Sequence, residues 1–128
     1  MKFVFVYGTL KRGGPLNQVL SRVGASFMKG AKVEGYTLWS VDGVFPAMLP
    51  EKDGVVKGEI WAVPDSAMDL LDRIEISYDR KVLLTSDHEA VNTYVWRGWA
   101  DPWMQPHGEE WDTKTVPPPS RYSAFIGR

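Results

Sequence analysis

The sequence FVFVYGTLK at residues 3–11 joins an apolar run directly to a tight turn, with no polar spacer between them. Five bulky apolar or aromatic residues in succession are typical of a strand that is buried on both faces. Gly8 supplies the backbone freedom that a sharp exit from such a strand needs. The stretch therefore predicts a buried strand that ends in a binding loop.

A short helix is predicted just after this loop. Pro15 suits a first helical turn, and Leu16, Val19, Leu20 and Val23 recur at the spacing of one apolar helix face. A strand, a glycine turn and a short loop before a helix can point several consecutive backbone N–H groups at one place. We expect that place to bind an anion.

The composition indicates one globular domain, residues 1–128, and excludes several classes of function. The 15 Lys and Arg balance the 16 Asp and Glu, so the chain lacks the basic surface that nucleic-acid binding needs. Cysteine is absent, which excludes disulfides, thiolate zinc sites and a cysteine nucleophile. We predict no nucleic-acid partner, no metal and no cofactor.

Membrane and targeting segments are not indicated either. No apolar run is as long as the hydrophobic region of a signal peptide or a membrane span. We therefore expect a soluble, cytoplasmic protein with no membrane partner. The oligomeric state does not follow from the sequence.

Several extended segments are predicted between and after two helices. They are residues 25–40, 44–49, 55–63, 78–86 and 90–97. Asp42-Gly43 predicts a turn, Lys52-Asp53-Gly54 predicts a hairpin, and residues 87–89 predict the turn of a second hairpin. Pro46 favours an edge or irregular strand, because proline cannot donate to a central ladder.

From Gly98 onward the pattern becomes irregular. Trp99, Trp103 and Trp111 follow no strand or helix period, and Pro117-Pro118-Pro119 is stiff extended chain. We expect a Trp- and Pro-rich tail, residues 98–128, that wraps the body. The tryptophans have three open interpretations: they dock onto the body, stack on a ligand such as a carbohydrate, or contact a partner.

A second helix is predicted after Pro64, with Asp65 or Ser66 as its cap. Ser66 and Asp69 have the spacing of a capping box. Residues at helical spacing give it one apolar face, which consists of Ala67, Leu70, Leu71 and Ile74. The buried side of this helix also includes a charged residue, Glu75.

Glu75 lies near the predicted end of this helix, one turn after Leu71. The negative end of the helix dipole and partial burial both disfavour the charged carboxylate, so both raise its pKa. Such a carboxylate can accept and donate a proton near neutral pH. The alternative is a salt bridge with Arg73, Arg80 or Lys81 at a frayed helix end.

Other polar residues give weaker signals. Asp72 with Arg73 predicts a solvated surface pair. His88 and His107 have no neighbours at metal-ligand or triad spacing, so we expect surface histidines. Thr9 has no candidate base beside it, so it is not supported as a nucleophile. Residues 8–14 lack the GxxxxGK[ST] order of a P-loop, so ATP chemistry is not supported.

An ordered set of motifs resembles the gamma-glutamyl cyclotransferase-like superfamily, which includes AIG2-like proteins. The two main motifs are YGTL at residues 7–10, after the apolar strand, and LDRIE at residues 71–75. Further matching segments are VEGYTL at 33–38, FPA at 45–47, VKGEIW at 56–61, YDR at 78–80 and AVNTYVW at 90–96. The resemblance covers residues 3 to about 97.

The resemblance implies a fold and a reaction. The fold is a compact α+β structure, a mixed sheet or small, partly closed β-barrel with short helices packed around it. In the reaction, the α-amine of a γ-glutamyl amine, amino acid or peptide attacks its own γ-carbonyl. The products are 5-oxoproline and the released amine, and neither water nor metal takes part. A small-molecule γ-glutamyl substrate is therefore the expected partner.

The resemblance also implies roles for the site residues. Glu75 matches the family's catalytic glutamate and would shuttle the proton between the two amines. The backbone N–H groups of Gly8, Thr9 and Leu10 would hold the substrate's α-carboxylate, and Tyr7 would line the pocket. The family often has serine where this chain has Thr9. The alternative is a non-catalytic domain that binds a small acid in the same pocket.

Overall fold

The computed structural model describes residues 1–113, which form a curled six-stranded mixed sheet with two short helices. The strands are β1 Lys2–Val6, β2 Ser26–Val41, β3 Phe45–Val63, β4 Tyr78–Leu84, β5 Ala90–Trp96 and β6 Gln105–Gly108. The helices are α1 Asn17–Arg22 and α2 Met68–Ile74, the latter preceded by a 3-10 turn at Asp65–Ala67. The strand order is β4-β5-β1-β3-β2-β6, and all pairs are antiparallel except β1 with β5.

Strand β1 lies inside the sheet and is buried on both faces along most of its length, as predicted. Val4 and Val6 contribute to one apolar cluster, which also packs against α1 and α2. Phe5 and the following Tyr7 contribute to the other cluster, on the concave side of the sheet. Because side chains alternate along a strand, one short segment connects the two cores and fixes where the next loop begins.

The two ends of the sheet approach each other. The Ser86 N–H group, in the β4–β5 turn, donates to the Lys32 carbonyl of β2 at 2.8 Å. Lys29 of β2 also forms an ion pair with Glu89 of the same turn at 2.7 Å. The sheet is therefore a half-barrel, and the predicted α+β fold with a partly closed sheet is confirmed.

The predicted hairpin at residues 52–54 is wrong, because β3 runs through this segment without reversing. Its partners along β2 change from Glu34, opposite Val55, to Tyr36, opposite Pro50, so the residues between bulge out of the ladder. A Cβ atom at Gly54 would lie 2.2 Å from the Tyr36 carbonyl oxygen. Here glycine permits a close approach of two strands instead of forming a turn.

Of the remaining local predictions, the turns are confirmed and the helix cap is wrong. The Asp42-Gly43 turn and the β4–β5 hairpin form as predicted. The capping box does not form: α2 begins after Ala67 without a side-chain cap. Pro46 lies in the half of β3 that pairs with β2 but not with β1, so proline is tolerated there.

The segment after Gly98 contributes one further strand that its sequence does not signal. Strand β6 pairs with β2, and Trp111 beyond it is buried against the concave core. The remainder of the predicted tail, residues 114–128, which includes Pro117–Pro119, lies outside the described residues. In the described part of the chain, no helix has the length and apolar character needed to cross a membrane.

Candidate active site

The loop after β1 is fixed from behind through its carbonyl groups. The N–H of Lys11 donates to the Gly8 carbonyl at 3.0 Å, and the N–H of Leu16 donates to the Thr9 carbonyl at 3.1 Å. The Leu10 carbonyl accepts a hydrogen bond from the Asn17 side-chain amide at 2.8 Å. Three consecutive acceptors are thus satisfied by the chain that follows the loop.

The N–H groups of residues 8–10 in the same loop, unlike their carbonyl groups, are not used in hydrogen bonds among the described residues. Within residues 1–113, the N–H groups of Gly8, Thr9 and Leu10 donate no hydrogen bond. Buried or half-buried N–H groups without a partner are costly unless a ligand or water satisfies them. Consecutive backbone donors of this kind can bind an anion.

Gly14 allows the chain to pass close behind the loop. A Cβ atom there would lie 2.3 Å from the Thr9 carbonyl oxygen and 2.9 Å from that of Lys11. Both obstructing atoms belong to the backbone, so a side chain at this position requires the loop to move. The position of the N–H groups therefore depends on glycine at residue 14.

Glu59 of β3 holds the far end of the loop. Its carboxylate accepts from the Arg12 backbone N–H at 2.9 Å and from Arg12 Nε at 3.0 Å. Trp61 Nε1 donates to the same carboxylate at 3.2 Å, and the Arg12 guanidinium lies 3.5 Å from the centre of the Phe27 ring. Charge-assisted hydrogen bonds with this geometry fix the loop to the central strands.

Lys11 connects the loop to the segment after β6. Its side chain is buried, and Nζ donates to the Trp111 carbonyl at 2.7 Å. Burial lowers the pKa of the Lys11 ammonium, while the nearby Glu110, Glu59 and Asp112 carboxylates act in the opposite direction. The loop is therefore secured on three sides, by α1, by β3 and by the C-terminal segment.

Glu75 closes the other side of the same site. It follows the last residue of α2, its N–H donates to the Leu71 carbonyl at 2.9 Å, and only 3% of its surface is exposed. Glu75 lines a cavity beside this loop. The other lining residues are Phe5, Val6, Tyr7, Gly8, Leu10 and Tyr94.

The structure thus brings four of the five predicted site residues to one cavity: Tyr7, Gly8, Leu10 and Glu75. Thr9 is buried, but its side chain does not line the cavity, and within residues 1–113 its hydroxyl has no hydrogen-bond partner. The backbone of Thr9 contributes the middle N–H group of the loop.

Tyr94 is a further lining residue, which the sequence did not single out. Its hydroxyl donates to Asp72 Oδ1 at 2.7 Å, and Arg80 Nε contacts the same oxygen at 3.0 Å. The Tyr94 carbonyl accepts a hydrogen bond from the Tyr7 hydroxyl. Burial raises the pKa of the Tyr94 phenol strongly, and the hydrogen bond to Asp72 and the charges of Asp72 and Glu75 raise it further.

The predicted surface pair of Asp72 with Arg73 is wrong. Asp72 instead pairs with Arg80 of β4 and with the Tyr94 hydroxyl, because the β4–β5 hairpin packs beside the end of α2. Arg80 is also ordered by Asn92, whose side-chain oxygen lies 3.3 Å from its guanidinium. Sequence spacing identified the carboxylate but not the strand that faces it.

The other candidates lie away from this cavity. Trp111 is buried in the concave core and Trp99 is exposed, so these two do not form one stacking surface. His88 is in the exposed β4–β5 turn, and the His107 ring contacts Trp111. In the part of the chain that the structure describes, no three His, Asp or Glu side chains form a group that could hold a metal ion.

Comparison with known proteins agrees with the motifs and the fold. The model of the family described as "Gamma-glutamyl cyclotransferase, AIG2-like" matches residues 4–113. AIG2-like protein C of Arabidopsis thaliana is 35% identical over 117 residues, covering 85% of this chain and 65% of that protein. The gamma-glutamylaminecyclotransferase of Homo sapiens is 37% identical over 94 residues, covering 65% of this chain and 61% of that protein.

A solved structure extends this agreement to the whole fold. The crystal structure of an AIG2-like protein from Mus musculus superposes with a TM-score of 0.79 at 30% identity, covering 94% of this chain and 97% of that one. This chain spans about 65% of the length of the Arabidopsis relative. The chain belongs to the gamma-glutamyl cyclotransferase, AIG2-like family.

Proposed function

We propose that this protein cyclises the γ-glutamyl group of a small amine, amino acid or peptide to 5-oxoproline and releases the amine. The observation that carries the proposal is the shared cavity, which is lined by Gly8 and Leu10 of the donor loop and by the buried Glu75. The family supports a cyclotransferase, and the relatives include proteins named gamma-glutamylaminecyclotransferase from human and mouse.

The loop has the chemistry to hold the substrate's α-carboxylate. Three consecutive N–H groups without protein partners among the described residues match an anion, and their carbonyls are fixed by other hydrogen bonds. A carboxylate held at the loop fixes one end of the γ-glutamyl group. The α-amine and the γ-carbonyl carbon then meet within the cavity, which favours closure of a five-membered ring.

Glu75 has the position to transfer the proton. The substrate's α-ammonium gives a proton to the Glu75 carboxylate, and the resulting amine attacks the γ-carbonyl carbon. When the bond from this carbon to the leaving nitrogen breaks, Glu75 returns the proton to that nitrogen. The ring nitrogen gives up its second proton to the released amine, which leaves as an ammonium ion. One carboxylate therefore serves as base and acid, and its burial favours the neutral form that the second step needs.

The test is turnover of γ-glutamyl compounds by the full chain. γ-Glutamyl amino acids, γ-glutamyl alkylamines and glutathione are incubated with the protein, and 5-oxoproline is measured. We expect product from at least one class, and at least a hundredfold loss with Glu75→Gln, as for removal of a general acid–base group. Glu51→Gln, at an exposed position on β3, is the matched control and should retain full activity.

Two outcomes contradict the proposal. The first is the absence of 5-oxoproline from every compound at substrate concentrations up to the millimolar range. The second is turnover that Glu75→Gln leaves unchanged. Saturable binding of γ-glutamyl compounds without turnover in either variant would identify a binding domain instead.

A further inference from the structure

Tyr94 lines the same cavity as Glu75, and the proton of its hydroxyl is already donated to another side chain. Tyr94 lines the cavity beside Glu75, and its hydroxyl donates to Asp72 Oδ1 at 2.7 Å. The donor direction follows from chemistry, since an ionised carboxylate can only accept. Arg80 pairs with the same carboxylate through contacts of 3.0 and 3.3 Å to its two oxygens.

The phenol oxygen therefore has only acceptor capacity left. Within residues 1–113, Asp72 is the one hydrogen-bond partner of this hydroxyl, and its oxygen keeps lone pairs for a ligand. The charge of Glu75 contributes to the raised pKa of Tyr94, so the hydroxyl lies within electrostatic reach of that carboxylate. An acceptor oxygen and a carboxylate, on two residues that line one cavity, match a ligand group that carries several N–H donors.

We propose that Tyr94 binds the α-ammonium group of the substrate through its phenol oxygen and presents it to Glu75. This inference rests on the proposed function and deepens it. The ammonium has three donors, one of which goes to Tyr94 and one to Glu75. Asp72 and Arg80 act as positioning residues, because they hold the Tyr94 proton away from the cavity and leave the acceptor side facing the ligand.

The substitution Tyr94→Phe tests the role of the phenol oxygen. The hydrogen bond that Tyr94 receives from Tyr7 involves the Tyr94 carbonyl, so Tyr94→Phe leaves it in place. The substitution also leaves the Asp72–Arg80 ion pair intact. It removes the phenol oxygen and, with it, the hydrogen bond to Asp72. Tyr36→Phe is the matched control, since Tyr36 packs against the concave core and does not line the cavity.

The experiment compares two probes that differ only in the α-amine. γ-Glutamyl-n-butylamide carries it, and the mono-n-butylamide of glutaric acid lacks it. Their dissociation constants are measured by calorimetry in the full chain carrying Glu75→Gln, which prevents turnover, with and without Tyr94→Phe. We expect Tyr94→Phe to weaken the amine-bearing probe about tenfold, as for a lost hydrogen bond to a charged group, and the amine-free probe less than twofold.

Equal weakening of both probes, or no weakening of either, overturns the assignment. The Tyr36→Phe control should leave both affinities unchanged. Turnover by the wild-type chain is measured in parallel with the amine-bearing probe. A chain that makes 5-oxoproline but shows no amine-specific effect of Tyr94→Phe refutes the role of Tyr94 alone. A chain that makes none from any γ-glutamyl compound refutes the proposed function itself.

Discussion

The two walls of the cavity are built by different means. The wall formed by residues 7–14 presents backbone N–H groups, and its side chains serve mainly to hold the backbone in place. The opposite wall presents side-chain groups, the Glu75 carboxylate and the Tyr94 hydroxyl, from the end of α2 and from β5. One wall depends on the shape of the chain and the other on the identity of two residues.

This difference predicts how each wall responds to mutation. A wall of backbone donors tolerates changes of side chain that preserve its path, but it does not tolerate changes that move it. A wall of side chains responds to the loss of single functional atoms while the fold persists. Substitutions that move the loop should therefore affect activity and stability together, whereas substitutions of Glu75 and Tyr94 should separate the two.

The largest effect on the loop wall is expected from Gly14→Ala. The added Cβ would lie 2.3 Å from the Thr9 carbonyl oxygen, so the loop must shift. A displacement of about 1 Å in a substrate-positioning group can reduce the rate about a hundredfold, and overpacking costs about 1–3 kcal/mol of stability. We expect kcat/KM for the best γ-glutamyl substrate to fall by about that factor, with a lower melting temperature.

Gly30→Ala is the control for this substitution. A Cβ atom at Gly30 would lie 3.8 Å from its nearest neighbour, the Gly58 carbonyl oxygen, which is an ordinary contact. Activity and melting temperature should therefore stay close to wild type. Wild-type kcat/KM in Gly14→Ala would show that the loop does not position the substrate.

The next largest effect is expected from Glu59→Gln. The substitution removes the negative charge that holds the Arg12 N–H and Nε groups. Because Arg12 is half exposed, we take the lower end of the range for charged hydrogen bonds, about 1.5 kcal/mol. KM should rise about tenfold with a smaller change in kcat, measured by steady-state kinetics.

Glu109→Gln is the matched control for Glu59. Glu109 forms an exposed ion pair with Lys57 at 3.6 Å, and such pairs contribute little. Its kinetics should match those of the wild type. Equal effects of the two substitutions would contradict a specific role for the Glu59 clamp.

A third prediction concerns stability at alkaline pH. The folded state raises the pKa of Tyr94 above its ordinary value of 10.0, so the folded chain keeps this proton when the unfolded chain loses it. The resulting stability is fully present below about pH 10 and is lost as pH rises above it, by up to about 1.4 kcal/mol per pH unit. Urea unfolding between pH 9 and 11 should show this slope in the wild type.

Tyr94→Phe should reduce that slope, because phenylalanine has no proton to lose. Unfolding free energies between pH 7 and 9 provide the baseline, because the Tyr94 hydroxyl stays protonated there in both the folded and the unfolded chain. Identical alkaline slopes in the two proteins would contradict the burial and hydrogen bonding of the Tyr94 hydroxyl.

The smallest effect is expected from Thr9→Ser. The change removes one buried methyl group and keeps the backbone donors and the hydroxyl. We expect kcat/KM within about threefold of wild type and a stability loss of about 0.5–1.5 kcal/mol, as for similar deletions. A loss of activity as large as that expected for Gly14→Ala would show that side chains matter on the loop wall.

The chain path of the loop wall could be predicted from the sequence because its signals are local. The apolar run of β1, Gly8 and the apolar face of α1 lie within about twenty residues, and each has a direct structural meaning. Glu75 was also accessible, because its helical spacing after Leu71 placed it on a buried side. The family resemblance then connected these two separate features.

The rest of the second wall could not be predicted from local patterns. Tyr94 reaches the cavity because β5 pairs in parallel with β1. Asp72 contacts Arg80 because β4, which carries Arg80, pairs with β5 at the edge of the sheet. Neither contact has a signal in sequence spacing. The hairpin error at residues 52–54 has a related cause, since Gly54 serves a contact with Tyr36, eighteen residues earlier in the sequence.

The central claim is that the loop holds a carboxylate while Glu75 faces the amine of the same molecule. The most direct test is a crystal structure of the Glu75→Gln variant with γ-glutamyl-n-butylamide. We predict the α-carboxylate oxygens at about 3 Å from the N–H groups of residues 8–10, with the α-nitrogen at hydrogen-bond distance from the side chain at position 75. A γ-carbonyl oxygen at the loop, or a probe bound outside this cavity, would contradict the account.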